Sequence, residues 1–157
     1  MEYFTRAWAL GDLSDEECEK IEERYRSYVE SLDPEGPVRR FVTSISLHDA
    51  YVDRLEYSED ALSLHLLTGD GQRGYWHTHI RYGGGQIILG QKDLERAVQV
   101  RPTEVWYDEF SDSPPRMVHR FLLLKPGTSK DGGEVHIAFD ELAFSETPAA
   151  GRMLTEV

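Results

Sequence analysis

From Val38 onward the apolar pattern of this chain changes from a helical period to a period of two. Short runs alternate apolar with polar residues, and the breaks between them are brief: "SED" at 58–60, "GDGQR" at 69–73, "GGG" at 83–85, "SDSPP" at 111–115 and "PGTSKDGG" at 126–133. Connections this short join antiparallel neighbours, because a parallel crossover needs a dozen or more residues. The runs predict strands near 41–47, 50–57, 61–68, 74–82, 86–89, 104–110, 116–125 and 134–140. Residues 90–102, "GQKDLERAVQVRP", read as one short helix ended by Pro102. The tail 145–157 has no strong period and reads as partly loose.

Ahead of this region, "SDEECEKIEERYRSYVESL" opens with Ser14 and, three residues later, Glu17, which is the spacing of a capping box. Cys18, Ile21, Tyr25, Tyr28, Val29 and Leu32 then share one face of a 3.6-residue period, so a helix is expected over 14–32. "DPEGP" at 33–37 ends it, since neither proline continues a helical ladder. The expectation is a single α+β domain over 1–157: an N-terminal amphipathic helix packed on a largely antiparallel sheet, curved or barrel-like. A chain of 157 residues buries about two-thirds of its unfolded surface and needs neither disulfide nor metal to fold. One helix covers only part of a sheet face, so the sheet must curl, split or leave its other face open.

Charge narrows the partners. There are 17 Lys and Arg against 29 Asp and Glu, a net charge of −12, and residues 1–60 hold 16 acids against 7 bases. Such a field repels phosphate backbones and anionic lipid, which argues against nucleic acid and membrane, and attracts a basic protein or a cation. Solubility alone also accounts for acidity. The single Cys18 provides no disulfide framework and no CxxC motif, so a reducing cytoplasm is the expected setting. The N-terminus lacks a basic stretch followed by an apolar run, and nothing approaches the ~18 apolar residues of a membrane span.

The chemistry-bearing stretch is "GYWHTHIRYGGG" at 74–85. Even positions Leu62, Leu64, Leu66, Trp76, Ile80 and Tyr82 read as a core face. Odd positions place His65, Tyr75, His77, His79 and Arg81 on the opposite face, with Tyr51, Asp53 and Tyr57 from the preceding strand. This is the candidate binding face. A turn centred on 58–60 sets Asp53 against His65, and one centred on 69–73 sets His65 against His77, with His79 beside them. Three readings stay open: zinc or another divalent metal on Asp53, His65, His77 and His79; a metal-free binding cleft with imidazole acid–base chemistry; or an ordinary polar strand face. A one-residue slip removes the row.

Gly71, His77, His79 and Gly90 resemble the first cupin motif, but Gly83 stands where cupins carry a glutamate ligand and no second motif follows. No GxSxG, HExxH or phosphate loop is present, so no catalytic residue and no cofactor is assigned. His48 and Asp49 of "LHDA" read as a local turn, and His119 and His136 as lone polar strand positions.

The opening "EYFTRAW", the acidic helix and "SLHDAYVDRLEYSEDALSLHL" resemble a family of small bacterial proteins of unknown function. Its members begin Met-x-Tyr-Phe-Thr and carry Leu-His-Asp before a strand pair. "WYDEF", "HRFLLL" and "GEVHIAFDEL" look similar to that family's later strands. More distantly, the build and acidity are similar to bacterial immunity proteins, which neutralise a basic toxin domain by binding it. The resemblance brings no catalytic residues. The absence of a recognised catalytic motif, the net charge of −12 and a sheet face rich in Tyr, His and Arg favour a non-enzymatic binding module for a partner such as a basic protein, acting through the acidic helix or the aromatic–histidine face; the alternative is a metal-binding protein or metal-dependent enzyme built on Asp53, His65, His77 and His79.

Overall fold

The computed structural model describes residues 1–125, 127, 128 and 130–156. Along the chain run α1 (Arg6–Ala9), α2 (Asp15–Ser31), α3 (Pro37–Ser44), β1 (Tyr51–Tyr57), β2 (Ala61–Asp70), β3 (Gly74–Gly83), β4 (Gln86–Leu89), α4 (Gln91–Gln99), β5 (Glu104–Ser113), β6 (Arg116–Leu124), β7 (Asp131–Phe139) and β8 (Glu141–Ala149). The strands form one antiparallel sheet in the order β4-β7-β6-β5-β1-β2-β3-β8. The fold is α+β, as the short connections require. β4 and β8 stand at opposite edges without pairing, so the sheet is open and the barrel alternative falls.

At the start of α2 the Glu17 N–H donates to Ser14 Oγ at 3.2 Å and the Ser14 N–H donates back to the Glu17 carboxylate at 2.9 Å. Asp15, Glu16 and Glu17 fill the first turn, where unpaired N–H groups favour negative charge. Inward contacts of α2 are few. Val29 is buried, Tyr25 Oη accepts the Phe110 N–H at 3.1 Å, and Tyr28 Oη donates to Asp112 at 3.1 Å.

The helices inside the core are α3 and α4. Residues 41–44, expected as the start of a strand, belong to α3 instead. Val38, Phe41 and Ile45 recur three and four residues apart and are all buried, and Pro37 pre-sets φ at the first helical position. That apolar stripe outweighs the β-branched character of "FVTSIS". Phe41 lies 5.2 Å from Phe144 and 5.6 Å from Phe110 between ring centroids. Burying such a ring stabilises by about 2–3 kcal/mol, so the helix seated at the centre is α3 rather than the 14–32 helix.

The sheet curls over this helix. Tyr82 on β3 reaches His119 on β6, and Arg116 at the β5–β6 tip donates to Asp140 at 3.0 Å and to the Gly84 carbonyl. The inner faces of β1-β2-β3-β8 and β5-β6-β7 therefore meet across Leu62, Leu64, Ile80, Phe110, Phe121 and Ile137. Gly84 adopts φ +64° in the β3–β4 turn, and a Cβ there would run into the Asp140 carboxylate; this is the role of the glycine run. Residues 145–149, expected to be loose, complete β8 through pairing from Gly83↔Glu141 to Tyr75↔Ala149. Ser145, Glu146, Thr147 and Pro148 are all exposed on this edge strand, so it carries no apolar alternation.

Candidate functional site

The histidine face exists, but its register differs from the expected one. In β1 an extra residue bulges between Val52 and Arg54, so Arg54, not Asp53, pairs with His65. The expected register holds at Tyr51 and Val52 and fails beyond them. The β2–β3 turn is centred one residue later, which shifts the pairing by two, keeps the faces and pairs His65 with His79, while His77 pairs with Leu67 and Thr147. Asp53 is turned away and 4% exposed. Its carboxylate accepts from Arg101, and from the Thr155 hydroxyl at 2.6 Å, tying the C-terminal segment to β1. Tyr51 carries the Arg152 guanidinium 4.0 Å over its ring, Tyr57 is exposed at the far end of β1, and Tyr75 pairs with Gly69. Arg81 donates to Asp60 at 2.8 Å.

His65 and His79 stack at 4.4 Å between centroids, with planes only 7° apart. A metal ion must lie close to the plane of each imidazole that binds it, and two nearly parallel planes do not meet within coordination distance. His65 Nε2 donates to Glu56 at 3.1 Å, which lowers the Glu56 carboxyl, and His79 Nε2 is buried with no hydrogen-bond partner among the described residues. Burial, then the neighbouring His65, lowers His79 below the ordinary imidazole value. Among the described residues no group of three His, Cys, Asp or Glu side chains is arranged to hold a metal. What remains is a mixed polar face of Arg54, Glu56, His65, His77, His79 and Arg81.

A second constellation escaped the sequence reading. His119 is fully buried, with Nε2 2.8 Å from Asp108 Oδ2 and Nδ1 2.8 Å from Tyr82 Oη. A carboxylate accepts only, so Nε2 bears the proton and Nδ1 accepts from the tyrosine. Phe110 stacks on the imidazole at 3.8 Å and Phe121 lies at 4.2 Å. Burial lowers His119, against the raising effect of its bond to Asp108, and raises Tyr82. With the ring sealed from solvent, this Tyr–His–Asp chain satisfies polar groups inside the core rather than meeting a reactant. Thirty-seven residues separate Tyr82 from His119, so no local spacing announces the pair.

The third feature is a cleft of about 310 Å³ where α3 ends, closed by the α3–β1 connection, the β2–β3 turn and β8. His48, Asp49, Asp70, Arg73, Trp76 and Glu146 line it. Trp76, expected in the core, is 36% exposed here. Thr78, 1% exposed, donates its hydroxyl to Glu146 at 3.1 Å and stands 2.7 Å from the buried Thr68 hydroxyl. The carboxylate therefore reaches the cleft from a fixed base. Asp70 accepts the Gln72 and Arg73 N–H groups, each at 2.8 Å, and these backbone bonds lower its carboxyl.

The "LHDA" stretch forms the opposite wall. Asp49 has φ +63°, the one left-handed non-glycine among the described residues. Its N–H donates to the Val105 carbonyl at 2.9 Å and its own carbonyl accepts from Arg152 at 3.0 Å. His48 Nδ1 donates to the Trp106 carbonyl at 2.5 Å, and its ring stacks on Tyr107 at 4.9 Å. Behind Tyr107 come Trp8 at 4.7 Å and then Phe4, 4.9 Å from Trp8. Phe4 belongs to an N-terminal strap whose Glu2, Tyr3 and Phe4 N–H groups all donate to the buried Glu109. The strap thus braces one wall of the cleft. No family model, no curated protein and no solved structure matches this chain.

Proposed function

We propose that this chain is a non-enzymatic, cytoplasmic binding module for a basic protein, docking in the manner of an immunity protein through the acidic surface of α2. One observation carries the reading. Asp15, Glu16, Glu19, Glu22, Glu23 and Glu30 are exposed along α2, and among the described residues only Glu16 of these has an ion-pair partner, Lys20 at 2.7 Å. With a net charge of −12 behind it, such a surface accelerates encounter with a cationic partner and orients it. No helix among the described residues is long and apolar enough to cross a membrane. The zinc or divalent-metal alternative draws no support from a geometry that separates Asp53 and His77 from the stacked His65 and His79.

The test is a panel of basic proteins titrated at low and physiological salt, with Glu19→Lys, Glu22→Lys and Glu23→Lys combined as the variant. Association that weakens with salt and is lost in the triple variant is the expected outcome. Absence of salt-sensitive association across the panel, or binding indifferent to the variant, would overturn the proposal.

A further inference from the structure

We infer that the cleft between the end of α3, the β2–β3 turn and β8 is a receptor for a single guanidinium or ammonium side chain presented by the partner. The inference rests on the basic-protein reading for the origin of that side chain. Its size fits one side chain: about 310 Å³ lies at the small end of the 300–1,000 Å³ typical of ligand pockets.

Its charge selects the sign. Three carboxylates, Asp49, Asp70 and Glu146, line it against the single guanidinium of Arg73. The C-terminal turn of α3, which has no basic residue, adds the negative end of a helix at Ser44. The arrangement also selects the shape of the cation. The carboxylates come from three separate segments, and no three metal-ligating groups converge among the described residues. An extended cation with several donors suits such walls better than a point ion. Trp76 supplies an indole at the wall, the aromatic best suited to a delocalised cation.

Pre-organisation separates this cleft from a chance gathering of acids. Thr78, buried beside the Thr68 hydroxyl, donates to Glu146, and backbone N–H groups hold the Asp70 carboxylate; at Asp49 the bonds to the Val105 carbonyl and from Arg152 fix the backbone rather than the carboxylate. Side chains fixed in this way lose little freedom on binding, which is where the affinity of small sites is usually lost.

The experiment follows the Trp76 indole resonance, assigned with Trp76→Phe, while Nα-acetyl-arginine amide is titrated into the 157-residue chain, with Nα-acetyl-glutamine amide as the neutral control. A saturable shift with the arginine probe alone is expected, at a dissociation constant on the order of millimolar. Glu146→Gln should weaken it about tenfold, the equivalent of one charge-assisted hydrogen bond. Arg73→Ala should tighten it by removing the competing guanidinium, and the α2 triple variant should leave it unchanged. No saturable shift, equal response to the neutral probe, or indifference to Glu146→Gln overturns the site. Arginine binding without any basic-protein association overturns the partner reading and keeps the site. Basic-protein association that ignores Trp76→Ala and Glu146→Gln does the reverse.

Discussion

Glu109→Ala should unlatch the N-terminal strap. The Glu109 side chain is fully buried and accepts three consecutive backbone N–H groups, from Tyr3 at 2.9 Å, Phe4 at 2.8 Å and Glu2. Alanine leaves the buried Tyr3 donor without a partner, at a cost of about 2 kcal/mol, and the two partly buried donors at about 1 kcal/mol each. Relief of the desolvated carboxylate returns about 1 kcal/mol, and Arg120, 3.5 Å from Glu2, keeps a counter-charge. The net loss is about 3 kcal/mol, which for 157 residues lowers the melting temperature by roughly 6–12 °C. Urea unfolding measures the total, and hydrogen exchange locates it: the Tyr3 and Phe4 amides should lose protection before the β-sheet does. Glu109→Gln keeps an acceptor oxygen but turns an NH₂ towards a donor, so about half the loss is expected. An alanine variant within 0.5 kcal/mol of the parent, with unchanged Tyr3 and Phe4 exchange, would refute the latch.

Two further outcomes follow from buried polar groups. His119, His79 and His136 all lie below the usual imidazole value of 6.5, with burial the first cause in each. The unfolded chain therefore takes up these protons at higher pH than the native one, so stability is full above about 6.5 and falls as the pH drops towards 5. Burial would raise Glu134, but the N-terminal ammonium and His136 hold it at about 2, so its loss of stabilisation comes only below 4.5 and outside that window. Urea midpoints from pH 7 to pH 5 should fall, with a shallower slope in His119→Leu; equal slopes would mean that His119 does not contribute. Thr78→Val removes the hydroxyl that holds Glu146 and partners Thr68, and should cost about 1–2 kcal/mol in urea unfolding, whereas no loss would show that Glu146 is held otherwise.

Period and turn length were enough to read the antiparallel sheet, the 14–32 helix and the short helix after Gly90. They were not enough at 38–45. There Val38, Phe41 and Ile45 already stood at helical spacing, but a window rich in Phe, Val, Ile and Thr matches a strand equally well. The buried contacts of Phe41 with Phe110 and Phe144 decide the matter, and both partners lie more than 60 residues away in the chain. β8 was hidden for the opposite reason: Ser145, Glu146, Thr147 and Pro148 are exposed, so backbone pairing to β3, rather than side-chain burial, defines it there.

The site was readable to the extent that local pattern determines register. Parity placed His65, His77, His79 and Arg81 on one face, and a two-residue shift in the β2–β3 pairing left that face intact while replacing the His65–His77 pair by His65–His79. A single bulged residue did more, because it turned Asp53 from the expected carboxylate of a metal row into a buried anchor for Arg101 and Thr155. No sequence period announces a bulge; it is set by what the displaced side chain finds, here a guanidinium and a hydroxyl from remote segments. The same dependence on remote partners explains the cleft. "LHDA", "GDGQR" and Glu146 are unremarkable turn and edge residues until the curl of the sheet brings them to the end of α3. Chemistry assembled by topology in this way is invisible to spacing, and so the histidines drew attention while the carboxylates around Trp76 did not.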